Sequence, residues 1–396
     1  MKILCVLGKY QYGDPDRGLG TEYAAFIPAL KNLGHEVVHF ESWDRNLYPD
    51  FARLNKALLL TIKKEKPDIL FTVQMHYEIW IETLKIIKDS GICATVSWTT
   101  DDSWKYREVS RFIGNSYHAM TTTYPDKVMY YKKDGIPNVL FTHWAAASDT
   151  LAEPLKSEDC KYQVSFVGAA HGNRKKRIEY LKKNGIEVDC FGFGWPAGSI
   201  PAHDIPVVMR NSIISLNFSN SKGENQLKAR TFEVPGAGGF LLTEYAKGLE
   251  DYYLKGQEIE VFYDDTELMD KIIYYLKNPG KRDEIAAKGY EKTRHRHTYE
   301  NRMKDILSFS MECQKKWNGK KQSFSEASLD DAIQAHEPGR VLNLIKKILV
   351  FFGVFIFGKK RGPRAARRLV FELSWRFCGK KTFSASGWPG RMFPEQ

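Results

Sequence analysis

At 396 residues, 43% hydrophobic and 27% charged, the chain is too long for one core and too apolar for disorder, so two domains plus an appendage are expected. Thirteen Lys/Arg and two acids fall in residues 340–396, so this stretch carries the whole net charge of +11 and the neutral body before it is a poor nucleic-acid binder. The six cysteines form no Cys-x-x-Cys pair, which argues against a zinc site and a disulfide framework and for reduced thiols in a cytoplasmic protein.

The apolar start, residues 2–7, is too short for a signal peptide and reads as a buried strand. A Gly-rich loop from Gly13 to Gly20 follows, then a helical pattern over 21–33, a Gly34-His35 stop and a strand at 36–40. The same order returns at 164–191: strand 164–167, loop 168–173, helix 174–183, stop Asn184-Gly185 and strand 187–191. Both are βαβ units, whose loop amides and helix N-terminus face anions at the carboxyl edge of the strand. Between them, 67–73, 92–98, 118–122 and 138–141 read as strands, with helices near 50–65, 78–89, 103–112 and 125–134. Strands at 213–218, 239–243 and 260–262 alternate with helices near 227–235, 266–277 and 280–294. The fold class is α/β, with two Rossmann-like domains at 1–150 and 160–312. A helix near 299–315 leaves the second domain, and 316–340 reads as a linker to a tail, together spanning 313–396.

No stretch reaches the eighteen or so apolar residues that a spanning helix needs. The uninterrupted apolar part of the tail, 348–358, is followed at once by Lys359, Lys360 and Arg361. As a helix it reaches only about 16 Å, half a bilayer. That pattern suits an anchor lying on an anionic membrane, or else a helix packed back on the domains.

Several residues carry candidate chemistry. Gln226, Lys228, Arg230 and Glu233 lie between a polar loop and a Gly turn entering a strand. Amides and cations there suit a nucleotide diphosphate, and a carboxylate suits a ribose diol; the alternative is a solvated amphipathic helix. Arg174, Lys175 and Lys176 open a helix against its dipole, which favours a bound anion. Asp101 and Asp102 stand where a strand meets a helix; Asp102 either caps that helix or, with Asp101, meets substrate. Phe193 and Trp195 follow a strand and either stack on a base or pack inside.

The run Arg230-Thr-Phe-Glu233-Val-Pro-Gly236-Ala-Gly238-Gly239-Phe-Leu-Leu-Thr-Glu244 resembles the hallmark of GT-B glycosyltransferases of the group 1 type. It is most similar to the CgeB-like, or spore-maturation-protein-like, branch. The resemblance reaches about residue 310. It implies a GT-B fold, with two Rossmann-like domains and a cleft between them. It gives Glu233 the donor ribose and Arg174 the charge on the leaving diphosphate. The family has a second Glu eight residues earlier, where Asn225 stands here behind Glu224. Gly18 and Gly20 match its glycine loop, whose amides approach donor phosphate and acceptor, and His76 its strand-end histidine near the donor sugar. Asp101 or Asp102 then deprotonates the acceptor hydroxyl or binds its sugar.

The expected function is a hexosyltransferase-type glycosyltransferase, retaining or inverting. It would use a UDP-, GDP- or dTDP-sugar donor, with no other cofactor and no metal site. Its acceptor would be a glycan or lipid-linked molecule in bacterial-type envelope polysaccharide synthesis. The protein would be cytoplasmic and peripheral on the inner face of the membrane. The rival expectations are a nucleotide-sugar epimerase of the same architecture and a non-catalytic, membrane-tethered sugar- or nucleotide-binding module.

Overall fold

The computed structural model describes residues 1–44, 46–219, 225–337 and 339–393. It divides into two compact units, 1–142 with 303–396, and 143–302.

In the first unit, β1 (Lys2–Val6) is apolar on both faces, with Ile3, Leu4, Cys5 and Val6 all buried, as a central parallel strand requires. Around it lie β2 (Glu36–Phe40), β3 (Ile69–Thr72), β4 (Ala94–Ser97), β5 (Ala119–Thr122) and β6 (Val139–Phe141). The order is β2-β1-β3-β4-β5-β6, all parallel, with Ile3 opposite Ile69 on one side and Val37 on the other. The helices are α1 (Thr21–Asn32), α2 (Phe51–Glu65), α3 (Ile81–Ser90), α4 (Arg111–Ile113) and α5 (Pro125–Lys133). The Asp50 carboxylate caps α2 by accepting from the Arg53 amide at 2.7 Å, and Leu54, Leu58, Leu59 and Ile62 give it one buried stripe. A five-residue π turn, Tyr106–Ser110, stands where the sequence suggests regular helix.

The second unit holds β7 (Tyr162–Val167), β8 (Asp189–Phe191), β9 (Ser212–Asn217), β10 (Leu241–Glu244) and β11 (Glu260–Phe262). They are again parallel, in the order β11-β10-β9-β7-β8. With them go α6 (Arg174–Lys183), α7 (Asp204–Arg210), α8 (Arg230–Gly236), α9 (Asp265–Lys277) and α10 (Pro279–Arg296). Arg282 is fully buried and ties α10 to the sheet by donating to the carbonyls of Leu155, Ser212 and Ile213 at 2.7–2.8 Å. Each sheet reverses its order once, between β1 and β3 and between β7 and β9. Loops diverge at such a point and leave a crevice beyond the strand ends.

The C-terminal part, where the sequence suggests a linker and a tail, groups with the first unit. Helix α11 (Tyr299–Lys316) enters the first unit at Met303, and α12 (Ala327–Ala335) forms within the expected linker. Leu329 of α12 is buried in the first unit's core, and Asp330 pairs with Lys56 at 2.9 Å. Helix α13 (Arg340–Cys378) breaks at Gly358, where φ is +76°. Its limbs fold together: a Cβ on Gly353 would lie 2.5 Å from the Gly362 carbonyl oxygen. Leu342, Leu349 and Val350 of the first limb pack on Ala366 and Val370 of the second and on Met392 of α14 (Trp388–Met392). Phe371, Trp375 and Phe383 then enter the same core as α2 and α3. By length and composition the stretch Arg340–Phe383 reaches what a membrane crossing needs, unlike the shorter run read from the sequence; its apolar window is only 6% buried.

Candidate functional site

In the second unit the reversal between β7 and β9 is occupied by arginine. Arg174 opens α6, and its guanidinium turns back to donate to the carbonyls of Ala169 at 2.9 Å and Phe218 at 3.3 Å. Those carbonyls lie just past the ends of β7 and β9, so the charge sits on the crevice; burial lowers its pKa from the usual arginine value. Arg230 donates to the carbonyl of Val167, the last residue of β7, at 3.2 Å. Its pKa falls to about 10, first through desolvation and then through the nearby charge of Arg174. Glu233, one turn further along α8, is ion-paired to Arg230. The structure thus brings Arg174, Arg230 and Glu233 to one strand edge.

The Lys228 ammonium donates to the Gln226 side-chain carbonyl at 3.2 Å, and the Gln226 backbone amide donates to the Ser219 carbonyl at 3.0 Å. Glu224 lies outside the described residues. Of the two aromatics, Trp195 is buried and donates its indole N–H to the Gly168 carbonyl at 2.7 Å, whereas Phe193 is 77% exposed between two glycines. Arg177, which no sequence pattern singles out, pairs with Glu244 and Asp265, each at 2.8 Å, and lies over Phe218 and Phe262. It fastens α6 to the ends of β10 and α9.

The first unit separates the two neighbouring aspartates. Asp102 is fully buried and accepts four hydroxyl hydrogen bonds, from Thr99 (2.8 Å), Ser110 (2.9 Å), Thr122 (2.7 Å) and Tyr131 (2.8 Å). The π turn carries Ser110 to it. Burial raises its pKa, and the four hydroxyls oppose the rise. Asp102 therefore joins β4, β5 and α5 and presents nothing to solvent. Asp101 is exposed and holds the left-handed conformation at φ +51°, sparsely used outside glycine and asparagine-like residues.

Two further charged groups, Lys105 and Glu22, feel the charge of Asp101. Lys105 is buried, with its ammonium 3.2 Å from the Thr100 hydroxyl and 3.5 Å from the Gln74 carbonyl. Desolvation lowers its pKa, against the charges of Glu78, Glu22, Asp101 and Asp102. Glu22, in the first turn of α1, is raised by desolvation and by Asp101, with Lys105 opposing. Glu22 stands in the Gly-Thr-Glu run after Gly20, a signal that was available; nothing in the sequence marks Lys105.

Gly18, at φ +78°, and Gly20, whose amide donates to the Lys9 carbonyl at 2.8 Å, shape the loop between β1 and α1. His76 belongs to the loop after β3. The Glu78 carboxylate braces this loop by accepting from the amides of Met75 and, at 2.8 Å, of His76. The His76 ring meets Phe371 of α13 edge-on at 5.4 Å and Trp104 at 6.2 Å. Among the described residues no three His, Cys, Asp or Glu side chains group as a metal site.

Residues 174–308, about a third of the chain, match a family described as glycosyl transferase-like. No curated protein matches the chain. Sucrose-phosphate synthase from Thermosynechococcus elongatus is similar in structure, with 11% identity, a TM-score of 0.55 and coverage of 78% of this chain and 98% of that one. HepE from Anabaena, solved with UDP and glucose, has 14% identity, a TM-score of 0.52 and coverage of 78% and 99%. TarM has 10% identity and a TM-score of 0.49; the match covers 65% of this chain and 58% of TarM. The chain has the two-sheet α/β fold of GT-B glycosyltransferases, and its 174–308 segment is glycosyl transferase-like.

Proposed function

We propose that this chain is a glycosyltransferase of the hexosyltransferase type, within the CgeB-like branch, acting in bacterial-type envelope polysaccharide synthesis. The observation that carries the reading is the Arg174 guanidinium on the carbonyls of Ala169 and Phe218, with Arg230 and Glu233 beside it. This cluster lies at a sheet reversal inside the glycosyl transferase-like segment.

A nucleotide sugar supplies what the cluster lacks. The diphosphate takes the charge of Arg174 and Arg230, and the ribose diol takes the Glu233 carboxylate that Arg230 holds at rest. As the bond to the sugar breaks, charge grows on the departing diphosphate, and a fixed, half-buried guanidinium stabilises it more than water would. No cofactor beyond the donor is needed in this scheme, because the cations belong to the chain. The acceptor is a glycan or a lipid-linked molecule, and Asp101 or His76 takes the proton from its hydroxyl. Asp102 acts behind Asp101 by fixing the turn that carries it.

The tail suits a peripheral position on the inner face of the cytoplasmic membrane. Val341, Leu344, Ile348, Phe351 and Phe355 form an exposed stripe on the first limb of α13, with Phe355 81% exposed. Lys346, Lys347, Lys359, Lys360 and Arg361 flank it, the pairing of apolar face and cations that holds a helix on anionic lipid.

The test is a panel of UDP-, GDP- and dTDP-sugars scored by thermal shift, beginning with UDP-sugars because HepE was solved with UDP-glucose as well. One donor is expected to stabilise the protein and to be consumed when acceptor is present. Glu233→Ala is expected to weaken that donor's binding by about 1–3 kcal/mol in calorimetry. Unchanged affinity in a folded variant would remove Glu233 from the site. Tight nucleotide binding with no hydrolysis and no transfer would mark a binding module instead.

A further inference from the structure

The crevice at the other sheet reversal, between β1 and β3 of the first unit, is a cavity of about 720 Å³. Its walls come from four directions. The glycine loop after β1 gives Arg17, the loop after β2 gives Trp43, and the loop after β3 gives His76 and Glu78. The second limb of α13 closes it with Arg364, Arg367 and Arg368, nearly 300 residues further along the chain. Among the described residues four guanidinium groups therefore line the cavity, and the one carboxylate there, Glu78, is buried and turned to the backbone amides of Met75 and His76.

The arginines are not equivalent. Arg17 is paired with Asp14 at 3.1 Å, and Arg368 with Glu108 at 3.0 Å and with Glu372. Among the described residues, Arg364 and Arg367 have no carboxylate partner. They lie three positions apart on one helix, so they stand on the same side of it. Unneutralised positive charge held at the mouth of a crevice raises the local concentration of anions, and paired guanidinium forks match phosphate oxygens. Phe371, one turn on, packs against His76 and fixes this limb over the loop. The limb thus belongs to the cavity.

We infer that this cavity binds a phosphate or diphosphate group of the acceptor, held by Arg364 and Arg367. Calling the ligand an acceptor rests on the glycosyl-transfer reading; the anion site itself does not. A phosphorylated acceptor could reach it as a soluble molecule or as the head group of a lipid carrier, and the chemistry recognised is the same.

The experiment uses the full-length protein with saturating UDP, so that the second unit's arginines are occupied. Inorganic pyrophosphate is titrated by calorimetry into wild type, Arg364→Gln/Arg367→Gln and Lys359→Gln/Lys360→Gln, all matched for Tm. The arginine variant is expected to bind at least roughly tenfold more weakly, while the lysine variant, with equal loss of charge outside the cavity, binds as wild type does. Equal binding by all three, or equal loss in both variants, overturns the assignment, since the tail's charge would then act without the cavity. A second arm measures association with phosphatidylcholine vesicles with and without a polyprenyl phosphate. Retention that depends on the polyprenyl phosphate and on the two arginines supports the cavity with a lipid carrier as source. Retention without either, alongside the pyrophosphate result, supports it with a soluble source. Wild type that binds pyrophosphate in the cavity but no nucleotide sugar would sink the transfer reading and leave the anion site standing.

Discussion

Asp101 and Asp102 are adjacent in sequence and opposite in situation. Four hydroxyls converge on Asp102 with no solvent exposure; that of Thr99 also reaches the Thr121 carbonyl, so removing the carboxylate strands the other three buried donors. Asp102→Ala is expected to cost on the order of 3 kcal/mol in a denaturant titration. Asp101→Gly should leave stability unchanged or slightly higher, because glycine accepts φ +51° freely. Its effect is expected in turnover with saturating donor; full turnover in Asp101→Gly would show that the exposed carboxylate takes no part. The sequence showed a pair of acids at a strand end but not which one was enclosed. The distinction comes from Ser110, Thr122 and Tyr131, up to 29 positions away, and no local pattern announces such a convergence. The neighbourhood of Arg174 and Glu233 was easier to anticipate, because glycine turns mark the strand-to-helix segments that bring both to one strand edge.

At the scale of elements, the strands were readable because residues such as Ile3 to Val6 or Ile69 to Phe71 are apolar on both faces. The tail was not. Phe371, Trp375 and Phe383 enter the protein core, while Phe351, Phe355 and Phe377 face outward, and hydropathy cannot tell a side chain covered by protein from one left bare. Likewise the polar stretch around α12 hid Leu329, Ala332 and Ile333, a spacing too brief to stand out as a helix. The two halves of α13 therefore answer differently to substitution. Phe351→Glu/Phe355→Glu is expected to abolish sedimentation with anionic vesicles without changing Tm. Trp375→Ala is expected to destabilise the first unit by about 3–5 kcal/mol, as truncation of a buried aromatic does. Vesicle binding that survives the double substitution would take the membrane role from this limb.

For the whole molecule, three buried histidines set a lower pH limit. Burial drives His118 and His297 down to about 4 and His143 to about 3, with Arg302 opposing protonation of the latter two. Unfolded, each takes up a proton near pH 6.5. Between those values the unfolded chain binds protons that the native protein refuses, so stability is full above about pH 6.5 and falls as pH drops toward 4. The slope is about 1.4 kcal/mol per pH unit for each histidine. Urea midpoints at pH 7 and pH 5 are expected to differ accordingly. The gap should narrow in His143→Phe and His297→Phe if these side chains are responsible, and a flat profile in wild type would contradict the assignment.

The first unit is discontinuous: its sheet ends at β6, and its core is completed by α12 and the second limb of α13, joined by contacts such as the Ala385 amide to Glu82, 303 positions apart. The second unit, 143–302, is one unbroken stretch. On the ribosome these facts impose an order. The second unit has everything it needs once its own residues have emerged, so it can close early. The sheet of the first unit, although it precedes the second unit in the chain, must wait with its apolar strands and the α2 and α3 faces incompletely covered until α12 and the second limb of α13 have emerged. Termination before α12 would then yield a native second unit joined to a first-unit sheet that is a client for chaperones.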